Sequence, residues 1–271
     1  MTEFIPSQQV ADSDIEYPAG WQTILSAKGY PVGVWRPSRM SRIHDQFLDC
    51  AIYLYRTRDE ANNGKAIGGS GFLVGVKSEI RTDKKKFHLY AVSNRHVVHS
   101  SGASVVRLNT KDGNKDIVEL EPNHWEPHPT GDDLAVAPIG LNIDRYAYRF
   151  VPEGQFLTQT IIFENNIGPG DDCFMVGPFI NHEGTQRNLP SVRFGNIGMM
   201  PQEPIRHPDG HLQESFAIEM RSIGGYSGSP VFVWIPSFSN RQKKEGNILR
   251  SDGLGPWLLG VDWGTITSKE F

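Results

Sequence analysis

Three side chains acting together can make a neutral hydroxyl nucleophilic. The hydroxyl itself is one, an imidazole that takes its proton is the second, and a carboxylate that holds the imidazole in one tautomer is the third. Ser227 lies in Gly224-Gly225-Tyr226-Ser227-Gly228-Ser229-Pro230, where flanking glycines permit a sharp turn that exposes the hydroxyl and gathers backbone N–H groups at one point. Taken alone, that stretch reads equally well as a plain glycine-serine loop. Its partners lie upstream. The apolar run Leu89-Tyr90-Ala91-Val92 ends in a polar corner, Ser93-Asn94-Arg95-His96, that presents His96. Asp133 stands immediately before the short apolar run Leu134-Ala135-Val136-Ala137, where a carboxylate can be buried against an imidazole. His99 and Asp132 compete for the same two roles. His99 sits in the loop-like His99-Ser100-Ser101-Gly102, and Asp132 adjoins Asp133.

The elements that must hold these groups read as strands. With 28 glycines, 18 prolines and 38% hydrophobic residues in many short runs, the chain favours strands and tight turns over long helices. Strands are expected at Cys50–Tyr55, Ile67–Val76, Leu89–Val92, Ser104–Leu108 and Ile117–Leu120. Further strands are expected at Gln159–Phe163, Cys173–Val176, Val192–Met200, Ser215–Glu219 and Val231–Trp234. Residues 56–65 read as a polar hairpin loop, and the long polar segment from Pro236 to Pro256 as a loop that can gate a site or hold a partner. Before residue 40 there are strand pieces at Trp21–Leu25 and Val32–Trp35.

Asn94-Arg95-His96-Val97-Val98, Asp133-Leu134-Ala135-Val136 and Gly225-Tyr226-Ser227-Gly228-Ser229-Pro230 resemble the histidine, aspartate and serine motifs of the trypsin-like (chymotrypsin-fold) serine peptidases. They stand in that family's chain order, 37 and 94 residues apart. Leu259-Gly260-Val261-Asp262-Trp263-Gly264 resembles the strand beside the primary specificity pocket, and the likeness covers roughly residues 45 to 265. An α/β-hydrolase order is excluded, since no histidine follows Ser227. The resemblance implies an all-β fold of two six-stranded antiparallel Greek-key barrels. Residues 1–44 would be an N-terminal extension, 45–150 the barrel with His96 and Asp133, and 151–271 the barrel with Ser227. Only seven residues follow Gly264, so the last strand and helix of barrel two are expected to be absent. Ser229, where the family often has glycine, resembles the bacterial glutamyl endopeptidase branch.

By the same resemblance, the backbone N–H groups of Gly225 and Ser227 would form the oxyanion hole, and Asp262, Trp263 and Gly264 would align substrate backbone. The pocket base would fall on Arg221, which suits an acidic substrate side chain, whereas Asp262 suits a basic one; the two expectations oppose each other. Tyr226 stands where a cleaved N-terminus would need an acid, so activation by that route is not expected. The implied function is a serine endopeptidase acting on protein or peptide through an acyl-enzyme. The alternative from another class is a trypsin-fold peptide-binding or scaffold module without turnover.

A formal net charge of −4 gives no reason to expect nucleic-acid binding, and no stretch approaches the length that spans a membrane. Residues 1–20 carry Glu3, Asp12, Asp14 and Glu16 and no continuous apolar segment, so no signal peptide is expected. Cys50 and Cys173, each in an apolar run, read as buried reduced thiols suited to the cytoplasm. A peptidase there needs restraint from narrow specificity, latency or a regulatory partner protein, as in a regulatory or defence assembly. No cofactor is implied. The pairs His124/His128 and His207/His211 have a spacing that suits a metal only on a helix, and Pro127 and Pro208 argue against one.

Overall fold

Every residue of β1 (Ala51–Tyr55) is buried, because its alternating faces serve separate cores. Ile52 and Leu54 enter one cluster, while Tyr53 and Tyr55 enter another. The next strand, β2 (Gly69–Lys77), divides in the same way: Leu73 packs with Ile52, and Phe72 and Val74 point to the opposite side. With β3 (Phe87–Ser93), β4 (Val105–Asn109), β5 (Lys115–Val118), β6 (Glu126–Pro127) and β7 (Ala135–Pro138), these strands form a sheet in the order β5-β4-β1-β2-β3-β7-β6. β8 (Val151–Pro152) adds to β2 in parallel and brings the sheet to eight strands.

The second sheet has five strands, all antiparallel: β9 (Asp172–Pro178), β10 (Pro190–Met199), β11 (Ala217–Met220), β12 (Pro230–Ile235) and β13 (Leu254–Val261). Their order is β11-β10-β9-β12-β13, so β11 and β13 are outermost. Cys173 and Met175 of β9 join Val231, Val233 and Ile235 of β12 in this sheet's own core. The intervening Phe174, Val176 and Phe232 face the other way and meet Phe72, Val74 and Val92 of the first sheet. Phe47, from α1 (Asp45–Leu48), closes that shared core edge-on against Phe174 and Phe232 at centroid distances of 5.6 and 5.0 Å.

This computed structural model describes residues 21–25, 31–35, 43–78, 87–179, 182–206, 210, 212–220, 225–236, 240–243, 246–249 and 253–265. Both sheets belong to one unit, Ile43–Phe271; residues 1–42 form another, in which Trp21–Leu25 pairs antiparallel with Pro31–Trp35, as expected.

Four expectations are corrected. The sheets have eight and five strands rather than six each, since the short pairings at Glu126–Pro127 and Val151–Pro152 extend the first. Residues expected as the first strand of the second half form α3 (Gln159–Asn165). A run of three apolar residues fits either strand or helix, and here Thr158 decides by capping the Ile161 N–H, with Asn166 ending the helix in the left-handed region. The polar stretch after β1 is likewise α2 (Arg58–Asn63), started by a reciprocal capping box between Thr57 and Glu60. Within the long loop, Asn240–Lys243 pairs with Gly246–Leu249 as a hairpin.

Both cysteines are free and buried, and burial pushes the Cys173 thiol up to about 12, so neither is a ready nucleophile.

Candidate active site

His96 opens a single π-helical turn, His96–Ser100, directly after β3, closed by a hydrogen bond from the Ser101 N–H to the His96 carbonyl at 2.8 Å. Such wide turns recur at functional sites because they set one side chain off the regular helical path. Val97 and Val98 anchor the turn in the first core, which leaves the imidazole one-third exposed. Asp133 lies just before β7, whose pairing with β3 brings Ala135 opposite Ser93. The sheet therefore places the carboxylate beside the histidine.

Both oxygens of Asp133 are used. Oδ1 accepts the His96 backbone N–H at 2.8 Å, and Oδ2 lies 2.5 Å from Nδ1 of the ring. The carboxylate, only 2% exposed, fixes the proton on Nδ1 and leaves Nε2 with a lone pair, the tautomer a general base needs. Asn94, fully buried, donates from Nδ2 to the Asp133 carbonyl at 2.9 Å. The Asp133 N–H donates to Oε1 of Gln213 at 3.1 Å, Gln213 reaches Ser215 Oγ, and the Trp263 indole donates to the same hydroxyl at 3.1 Å. A chain of polar contacts thus runs from the aspartate to Trp263, just after β13.

The Ser227 turn docks on the same corner from the second sheet. The Ser70 N–H donates to the Ser227 carbonyl at 2.9 Å, and the Ser229 N–H closes the turn on the Tyr226 carbonyl at 2.8 Å. Gly228 has φ +91°, and a Cβ there would stand 1.9 Å from the Ser70 carbonyl oxygen and 2.5 Å from Ser93 Oγ. Only glycine permits that approach, which brings the residue after Ser227 against the strand that ends in His96. The Ser227 side chain is half-buried and makes none of the hydrogen bonds found among the described residues.

The structure also separates the competitors. His99 is exposed at the far end of the π-turn, and Asp132 pairs with His128 Nδ1 at 3.2 Å. Asp262 comes to the Ser227 turn, where its carbonyl accepts the Gly228 N–H at 2.8 Å and its N–H donates to the Ser229 carbonyl at 2.9 Å. Its carboxyl is pushed up to about 6 by loss of solvent, against the pull of His96 and a bond from the Gly264 N–H. Trp263 is half-buried and Gly264 exposed beside it. Gly225 is exposed with φ +94°, while Arg221 and His207/His211 lie outside the described residues. The roles of Asn94, Gln213 and Ser215 were not foreseen; the polar Asn94 between an apolar strand and His96 was the available signal.

No protein-family model matches the chain, and no curated protein matches it. Among solved structures it is similar to Deg5, at 16% identity and a TM-score of 0.40, over 76% of this chain and 85% of that one. It is similar to the MamO protease domain from Magnetospirillum magneticum in its apo form, at 14% identity and a TM-score of 0.42, over 77% and 91%. It is also similar to the HtrA-type protease AlgW with a decapeptide, at 16% identity and a TM-score of 0.39, over 77% of this chain and 61% of that one.

Proposed function

We propose that the chain is a serine endopeptidase of the trypsin-like fold that cleaves peptide bonds through an acyl-enzyme. The observation that carries this reading is the buried Asp133 gripping both the backbone and the ring of His96, beside a turn that presents Ser227. In this mechanism His96 Nε2 takes the Ser227 proton as Oγ attacks a peptide carbonyl, then passes it to the leaving amine. Water then repeats the sequence on the acyl-enzyme. Asp133 stabilises the imidazolium in both halves, and the N–H groups of Gly225 and Ser227 receive the developing oxyanion. Because the Asp262 main-chain groups are engaged by Ser229 and Gly228, and the Gly264 N–H by the Asp262 carboxyl, pairing with the substrate backbone falls to Trp263 and the Gly264 carbonyl. The chain acts in the cytoplasm under narrow specificity, latency or a regulatory protein.

A second reading, a peptide-binding module without turnover, needs only the cleft beside Asp133, which Ile218, Val231 and Trp263 help to line. Labelling with a fluorophosphonate separates the two. Covalent labelling of the wild-type protein that is lost in Ser227→Ala and His96→Ala supports the peptidase. A folded wild-type protein that takes no label favours the binding module.

A further inference from the structure

Asp262 is anchored by its backbone, and its carboxyl is surplus to that anchoring. The N–H and carbonyl pair with Ser229 and Gly228, contacts that any residue makes at this place in the chain. The carboxyl accepts the Gly264 N–H, which the amide oxygen of an asparagine would accept equally. An ionised carboxyl taken out of water costs free energy unless a positive group answers it. The fold alone therefore gives no reason for an acid here.

Few positive groups are at hand. Asp262 borders a cavity of about 560 Å³ beside β11 and β13 whose charged lining is acidic, with Asp132 and Asp133 before β7, Glu214 and Glu219 at β11, and Asp262 itself. No lysine or arginine borders it among the described residues, and His128, the imidazole in its wall, is paired with Asp132. The positive group whose field reaches the Asp262 carboxyl is His96. Loss of solvent raises that carboxyl to about 6, and the pull of His96 opposes the rise. His96 thus stands in the field of two carboxylates, Asp133 through the bond to Nδ1 and Asp262 through space.

We propose that Asp262 serves His96 as a second carboxylate, stabilising through space the positive ring that forms when Nε2 takes the Ser227 proton. It acts through His96 and is a positioning residue rather than a catalytic one. This rests on the peptidase reading and adds a pH control to the same site. The proton passes from Ser227 Oγ to Nε2 and on to the leaving group, and Asp262 neither gives nor takes one in that cycle. Above about 6 its carboxyl is ionised and supports the imidazolium; below, it carries a proton and the support is lost. The buried charge then has a use that outweighs its cost to the fold.

The test follows the rate of fluorophosphonate labelling at pH 5 and pH 8 in the wild-type protein and in Asp262→Asn, which keeps the shape of the side chain. Asp262→Asn is expected to slow labelling about tenfold at pH 8, the scale of one partly screened charge, and less than about twofold at pH 5. Glu219→Gln removes an exposed carboxyl from the same cavity wall, and is expected to change labelling by less than about twofold at either pH. Equal slowing at both pH values, which altered shape alone would give, overturns the proposal. So does undiminished labelling at pH 8, or a loss as large in Glu219→Gln.

A carbon NMR titration of the Asp262 carboxyl is independent of turnover. Its midpoint is expected to rise by about half a unit in His96→Ala, because the opposing pull is gone, and an unmoved midpoint overturns the proposal. A folded wild-type protein that takes no label overturns the peptidase reading instead. A midpoint that still responds to His96 then supports the charge pairing on a chain without turnover.

Discussion

The chemistry of this protein narrows to one carboxylate with both oxygens committed. Asp133 accepts from the backbone and the ring of His96, so replacing it by asparagine keeps the shape and offers the ring the wrong partner. Asp133→Asn is expected to slow fluorophosphonate labelling by about 10³- to 10⁴-fold while leaving the unfolding midpoint nearly unchanged. Asp262 behaves in the opposite sense. Its carboxyl is held at about 6, above an unfolded value near 4, so the folded protein binds this proton more tightly than the unfolded chain. The stability associated with that proton is present at low pH and lost as pH rises from about 4 through 6. Asp262→Asn, which carries no such charge, is expected to gain on the wild-type protein across that window. Urea unfolding at pH 4 and pH 7.5 measures the difference, and a gap that does not change with pH would contradict the assignment.

Among the elements, β4 and the loop before β10 are joined by a contact that the pattern of apolar residues does not announce. Arg107, buried in β4 beneath the rings of Tyr55 and Tyr53, donates to Asn188 Oδ1 at 2.6 Å and to the Gly184 and Glu183 carbonyls at 2.9 and 3.2 Å. Asn188 in turn exchanges hydrogen bonds with Asn109 and with the Arg107 carbonyl. The loop of the second sheet is thereby fastened to the first through a cation whose head has been taken out of water. Arg107→Met keeps the stem and strands the carbonyls. A loss of roughly 3 kcal/mol in urea unfolding is expected, and a change under about 0.5 kcal/mol would show that the contact is only decorative.

For the whole molecule, the site exists because two sheets share one core. Phe174 stacks on Phe232 at 5.0 Å and touches Phe47, and this cluster holds β9 and β12 against β2 and β3. The Ser227 turn leads straight into β12, and His96 follows β3, so the proposed nucleophile and base are brought to one corner only while that core is intact. Phe174→Ala is expected to cost about 3–5 kcal/mol and to shift one cooperative transition, with labelling lost along the same curve as tryptophan fluorescence. Two separated transitions would mean that the sheets unfold independently.

Local chemistry made part of this readable in advance. Short continuous apolar runs revealed β1, β9 and β12, because a strand buried on both faces must be apolar throughout. Glycines flanking Ser227 and the acid before Leu134 marked their turns for the same local reason. Sequence determined which residues can do chemistry and the order in which the chain presents them. Helix α3 was misread because three apolar residues in a row fit two periods, and only the Thr158 cap and the second core choose between them. The polar chain through Gln213 and Ser215 and the acidic lining of the cavity were decided by the tertiary structure. Each depends on which side chains meet across strands that lie tens of residues apart, and the register between those strands is set by packing of the whole core rather than by neighbouring residues.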